Sequence, residues 1–237
     1  MTARIIIPED RLLAPVVDPV ARKLEALGYA VSRAPQSQPP ADWPELAEAD
    51  VVVLTPRTPF GAAEIAAATR LKGLVFPTVG VDSLDLEAAD AAGLVVAHGA
   101  TSEAIDSMAE ANVMLMAALL LDLPRKSRGL LQNGWRDGTV RARMMRGKTV
   151  GFVGFGRIAR AILARLANWG IRAVYFDPFV DQSAAAGATR MPDLPMLLRL
   201  SDIVTVLVDL TPETRGMIAS PELSTMRPEA YLVNTAR

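Results

Sequence analysis

The chain contains no cysteine and only one histidine, His98. The first absence rules out disulfides, thiolate zinc sites and a cysteine nucleophile, and it fits a reducing compartment. Neither sign of charge dominates. Twenty-five basic and 26 acidic side chains leave a formal net charge of −1, so there is no electrostatic footprint for nucleic acid. Long hydrophobic runs are missing too: the most apolar stretch, residues 113–121, is about half of what a membrane span needs. The first ten residues lack the basic and apolar regions of a secretion signal. No internal repeat is visible. What remains is a chain of 237 residues, 51% hydrophobic and 22% charged. That is long enough to bury a sizeable core in one or two domains. A soluble cytoplasmic protein without a metal site, a nucleic-acid partner or a membrane partner is the expectation.

One stretch organises the rest. Residues 149–153, Thr-Val-Gly-Phe-Val, read as a buried strand that enters Gly154-x-Gly156-x-x-Ala159. An amphipathic helix pattern follows at Ile158, Ala161, Ile162, Leu166 and Trp169. Gly154 permits a tight turn out of the strand, Gly156 lets the backbone approach a pyrophosphate, and Ala159 lets helix and strand pack closely. The first helical turn adds unpaired N–H groups and the positive dipole end, which suit phosphate. A second strand, 173–176, ends in Asp177. That acid lies about 20 residues past the glycines, where a ribose diol calls for a carboxylate. Together these point to a dinucleotide, and Asp177 would repel a 2′-phosphate, which favours NAD over NADP.

The remainder of the chain alternates strands and helices. Strands are predicted at 4–8, 29–31, 50–54, 74–77 and 94–96, with helices at 16–27, 62–68 and 84–92 and a proline-rich loop at 34–44. A long helix over 102–121 follows, with core-type methionines at 108, 114 and 116. Residues 122–146 are mixed and basic, broken by Gly129, Gly134 and Gly138, with Arg125, Lys126 and Arg128 on a solvated face. After Asp177 come a loop, a helix at 193–200, a strand at 203–208, a helix start at Thr211-Pro212 and a strand at 230–233. Such alternation gives an α/β protein of two doubly wound parallel-sheet units. The domain reading is residues 1–99, a bridging segment 100–147, and a dinucleotide unit 148–237. With four main strands visible in the second unit, a six-stranded sheet is incomplete, so the second domain is expected to be incomplete here.

Two further positions carry alternatives. Arg157, at the crest of the glycine loop, is either a solvated helix-start arginine or a pyrophosphate contact. Arg237 ends a strand at the edge where ligands of open α/β sheets sit. There it is either a surface arginine or a guanidinium that grips a carboxylate and polarises a carbonyl.

The ordered set of motifs resembles the D-isomer-specific 2-hydroxyacid dehydrogenases. The matching pieces are Leu71-Lys72-Gly73, Val79-Gly80-Val81-Asp82, Ser107-Met108-Ala109-Glu110, Arg146-Gly147-Lys148, Gly154-Phe155-Gly156-Arg157-Ile158, Asp177-Pro178, Leu210-Thr211-Pro212-Glu213-Thr214-Arg215 and Asn234-Thr235-Ala236-Arg237. The resemblance implies a flavodoxin-like substrate domain followed by a Rossmann NAD-binding domain, with the site in the cleft between them. It implies NAD as cofactor and a hydride passed between nicotinamide and C2 of a small 2-hydroxy or 2-keto acid. Arg237 matches the catalytic arginine that holds the substrate, and the backbone of Val79 and Gly80 matches the carboxylate loop. Gly154, Gly156, Arg157 and Ile158 match the pyrophosphate loop, and Asp177 matches the ribose acid. The main chain at Val208 and Ala236 falls near the nicotinamide. Residues 119–146 match the region that pairs protomers, so a homodimer is expected.

The chain also departs from the family pattern. The proton-transfer histidine and its glutamate follow the Asn-Thr-Ala-Arg strand in the family, beyond Arg237 here. His98 does not match that position and reads as a structural or solvent-exposed loop histidine. Leu207 and Asp209 replace the usual His and Pro, and Thr78 stands where glycine is common. The alternative function is an NAD(H)-binding protein without turnover, either a corepressor-like sensor or an inactive remnant. The extra substrate-holding residues of formate dehydrogenase are not evident.

Overall fold

The computed structural model describes residues 2–132, 134, 142–185 and 187–236. They form two compact units, Met1–Thr101 and Ser102–Arg237.

The first unit contains β1 (Arg4–Glu9), α1 (Ala14–Ala26), β2 (Ala30–Pro35), β3 (Val51–Val53), α2 (Ala62–Ala67), β4 (Gly73–Phe76), α3 (Leu86–Ala91) and β5 (Val95–His98). The strands pair in parallel in the order β2-β1-β3-β4-β5, the flavodoxin-like order. Because side chains alternate along a strand, Ile6 faces a core of Val52, Leu74, Phe76, Trp43 and Phe60. Ile5 and Ile7 face Val17, Ala21 and Val53 on the other side. Strand β2 corrects the sequence reading, which ended it at Val31 and placed 34–44 in a loop. Pairing with β1 carries it to Pro35 opposite Glu9. Proline is tolerated there because β2 is an edge strand.

Asp50, at the amino edge of this sheet, holds three segment starts together. It accepts the backbone N–H of Arg4 at 3.0 Å and the Lys72 ammonium at 2.9 Å, with Arg70 at 3.5 Å. The Arg4 backbone bond first, and then Lys72, lower its carboxyl from 3.8 to about 2.

The second unit contains α4 (Ser102–Leu120), α5 (Leu123–Leu131), β6 (Thr149–Val153), α6 (Arg157–Arg165), β7 (Arg172–Phe176), β8 (Ala188–Arg190), α7 (Leu194–Leu200), β9 (Ile203–Val206), α8 (Ser220–Thr225) and β10 (Tyr231–Asn234). Helix α4 belongs to this unit and packs on α6 and β10. The sheet is parallel throughout, in the order β10-β9-β6-β7-β8. With β6 as the first strand, this is the 3-2-1-4-5 portion of a dinucleotide-binding sheet.

Three expectations are corrected here. The sheet has five strands rather than four, because β8 is only Ala-Thr-Arg and carries no apolar run. The Gln182 side chain holds it in place, donating to Ala188 O at 2.8 Å and accepting from Arg190 N at 2.7 Å. No helix starts at Thr211. Thr211 N–H donates to Thr214 Oγ1 at 2.8 Å, and that hydroxyl donates to Asp209 O, closing a turn. The helix comes later, at α8, where Glu222 accepts Ala219 N–H at 2.9 Å. Finally, Gly129 does not break the chain but lies within α5.

The Asp50 geometry gives a pH prediction. A carboxyl lowered in the folded state stabilises the fold above its unfolded value, and that contribution disappears as pH falls through the folded value. The first unit should therefore lose stability between 3.8 and about 2. Asp50→Asn should flatten this acid limb in thermal melts; a limb that keeps its full slope would remove Asp50 as the cause.

Candidate functional site

All five residues of β6 are buried, so the strand delivers the chain rigidly to Gly154. Gly154 has φ +88°, and a Cβ there would meet Val208 Cγ1 at 3.0 Å and the Leu207 carbonyl at 3.1 Å. Both conformation and space exclude a side chain. Gly156 is different: its φ is −79°, and a Cβ would meet nothing within 4 Å. Among the described residues nothing needs Gly156 bare, whereas a phosphate backed against the N-terminus of α6 would. Ala159 is fully buried against the sheet.

Phe155, between the two glycines, anchors the loop in the core. It is 1% exposed and stacks on Tyr175, with ring centroids 4.4 Å apart. Its backbone N–H donates to Asp177 Oδ2 at 2.8 Å, and Asp177 Oδ1 accepts Phe179 N–H at 2.9 Å. The predicted ribose acid therefore also ties the end of β7 to the glycine loop. Each carboxylate oxygen keeps a second lone pair for a diol. Arg157 and Ile158 begin α6 at this loop.

At the carboxyl edge of β9 and β10, Val208 and Ala236 line one hollow of about 180 Å³, with Leu210, Met217 and Ile218 among its other walls. Ala236 N–H donates to Asn234 Oδ1 at 3.0 Å. Arg237 lies outside the described residues.

Behind this edge is a polar network that the sequence reading missed. Asn112 of α4 is fully buried, with Nδ2 donating to Met108 O at 2.8 Å and to Thr235 Oγ1 at 3.0 Å. Its Oδ1 accepts from buried Thr205 Oγ1 at 2.8 Å. One asparagine thus fixes α4, β9 and the residue after β10. The signal in the sequence was a polar residue on the apolar face of α4.

In the first unit, Val79 and Gly80 sit in the loop after β4, at the carboxyl edge of the sheet. Thr78, the odd residue of that loop, donates its hydroxyl to Gly80 O at 3.2 Å. Ser83 Oγ donates to Thr55 O at 3.1 Å, stitching this loop to the one after β3. At the β1/β3 reversal, Asp10 is 3% exposed and pairs with Arg57; sequence reasoning overlooked this pair too. Burial raises the Asp10 carboxyl, but bonds from Arg57, Leu12 N–H and Leu13 N–H outweigh it and hold it below 3.8. His98 ends β5, exposed, with Nδ1 accepting Ala100 N–H at 3.2 Å.

Two parallel α/β units, one carrying a glycine loop and an acid at the end of the second strand, define a dinucleotide-binding protein of the dehydrogenase type. Residues 113–237 match the family described as D-isomer specific 2-hydroxyacid dehydrogenase, NAD binding domain. The chain belongs to that family. It is 35% identical over 191 residues to D-3-phosphoglycerate dehydrogenase of Mycobacterium bovis, covering 80% of this chain and 36% of that protein. It is 30% identical to hydroxypyruvate reductase of Thermotoga maritima, covering 80% of this chain and 61% of that protein. The chain therefore spans little more than a third of the phosphoglycerate dehydrogenases it matches. Among solved structures, NAD-dependent formate dehydrogenase from Staphylococcus aureus in complex with NAD is 28% identical with a TM-score of 0.85, covering 99% of this chain and 73% of that one. NAD is accordingly the cofactor of the second unit.

The two glycines should separate in experiment. Gly154→Ala should lower the melting temperature and abolish NADH binding. Gly156→Ala should melt within a few degrees of the parent yet weaken NADH binding at least ~10-fold. Unchanged NADH affinity in Gly156→Ala would remove the pyrophosphate from that position.

Proposed function

We propose that the chain works in an NAD-dependent D-2-hydroxyacid dehydrogenase, moving a hydride between NAD(H) and C2 of a small 2-hydroxy or 2-keto acid. The observation that carries this reading is the coincidence of the bare Gly156 crest, Asp177 and the Val208–Ala236 hollow along one sheet edge of a family member. Bound NADH supplies the hydride. The N–H groups at the start of α6 hold the pyrophosphate, Asp177 takes the ribose diol, and the Val208 and Ala236 main chain flanks the nicotinamide. Backbone N–H groups at Val79 and Gly80 receive the substrate carboxylate. Arg237 grips the same acid and polarises its carbonyl. His98, whose Nδ1 is taken by Ala100 N–H, is not assigned the proton transfer.

The same reading carries a homodimer formed through residues 119–146, consistent with the exposed Leu123, Leu130 and Leu131 of α5. It also carries a cytoplasmic location and no nucleic-acid or membrane partner. No single helix among the described residues is long and apolar enough to cross a membrane.

The test is NADH oxidation by the natively produced protein against glyoxylate, hydroxypyruvate and oxaloacetate. Turnover of at least one is expected, with Arg237→Ala reducing kcat/KM at least ~100-fold. Tight NADH binding with no turnover of any of them would replace this reading by the sensor alternative.

A further inference from the structure

The third strand of the second sheet brings a cation to the residue expected to read the cofactor's ribose. Arg190 ends β8 and pairs with Tyr175 of β7, two residues before Asp177. Its Nη2 donates to the carbonyl of Asp177 at 3.3 Å and to that of Pro178 at 3.4 Å. Its backbone is held as well, since Arg190 N–H donates to Gln182 Oε1 at 2.7 Å and Gln182 Nε2 donates to Ala188 O at 2.8 Å. The guanidinium therefore lies across the turn that carries the ribose acid rather than waving in solvent.

Two features leave it open to a ligand. The side chain is 37% exposed, and its only ion pair among the described residues is with Asp181 at 3.6 Å, itself 87% exposed. A pair that open to water is weak and easily exchanged for a better anion. A guanidinium also has five N–H donors in a fixed fork, more than the two carbonyls and one carboxylate consume, and that fork suits phosphate.

Asp177 and Arg190 thus present opposite charges at the same turn. We propose that Arg190 is a specificity-determining residue for the cofactor, and that it favours a 2′-phosphate while Asp177 opposes it. This rests on the NAD reading of the glycine loop and adds to it a prediction that Asp177 alone does not make. A lone carboxylate would exclude NADPH. A carboxylate faced by a pinned arginine only disfavours it, and removing the carboxylate exposes a ready phosphate site.

The experiment is a double-mutant cycle on the 237-residue chain, read by binding and not by turnover. NADH, NADPH, AMP and adenosine 2′,5′-bisphosphate are titrated against the parent, Asp177→Asn, Arg190→Gln and the double variant. Asp177→Asn should raise affinity for NADPH and the bisphosphate at least ~10-fold, in line with loss of a like-charge contact beside a charge-assisted one. Arg190→Gln should weaken both 2′-phosphorylated probes ~5-fold or more while leaving NADH and AMP within about twofold, and the double variant should lack the gain. Equal losses for NADH and NADPH in Arg190→Gln would make the arginine a mere loop tie and overturn the proposal, as would a gain that survives in the double variant. Arg190→Lys keeps the charge but loses the fork. It should retain part of the phosphate preference, and it provides the same comparison if the glutamine variant melts early. If the parent binds neither NADH nor AMP, the glycine-loop reading fails first and takes this one with it.

Discussion

The hydrogen bond from Phe155 N–H to Asp177 Oδ2 is the constraint on which the rest of the second unit's site depends. It joins the crest of the glycine loop to the end of the neighbouring strand, so one carboxylate holds both the loop proposed for the pyrophosphate and the turn proposed for the ribose. Core packing supports it from below, because Phe155 stacks on Tyr175 and Tyr175 donates its hydroxyl to Val180 O at 3.1 Å. Contacts within the chain hold the loop, and a loop held in this way loses less entropy on binding.

The same logic extends along the sheet edge. Asn112 spans α4, β9 and Thr235 with every side-chain polar group engaged, so the segment after β10 is held by a buried network and not by strand pairing alone. Buried networks of this kind are costly when one member is lost, which ties the position of Ala236 to a helix remote in sequence. Arg190 and Gln182 do the corresponding work at the opposite edge, where the short β8 would otherwise have little to fix it.

Much of this was legible in the sequence, for physical reasons that differ by element. Strand β6, the glycines and Asp177 announce themselves because they combine a continuous apolar run, a backbone requirement and a fixed spacing. Strand β1 is legible because three consecutive isoleucines demand burial on both faces. What escaped were features made by tertiary contact: β8 by the Gln182 side chain, the end of β2 by pairing with β1, and the Thr211–Thr214 turn by hydroxyl bonds that compete with a helix. The tie from Asp177 to the glycine loop and the Asn112 network escaped for the same reason. A sequence shows a polar residue, but not which distant backbone or hydroxyl it satisfies.

The most direct measurement is amide hydrogen exchange of the chain with and without NADH. Slowed exchange at residues 154–158 and 177–181, extending to 206–209 and 234–236, is expected if the glycine loop, the ribose acid and the Val208–Ala236 hollow form one cofactor seat. NADH-dependent protection confined to residues 2–101, or none at the glycine loop, would contradict it.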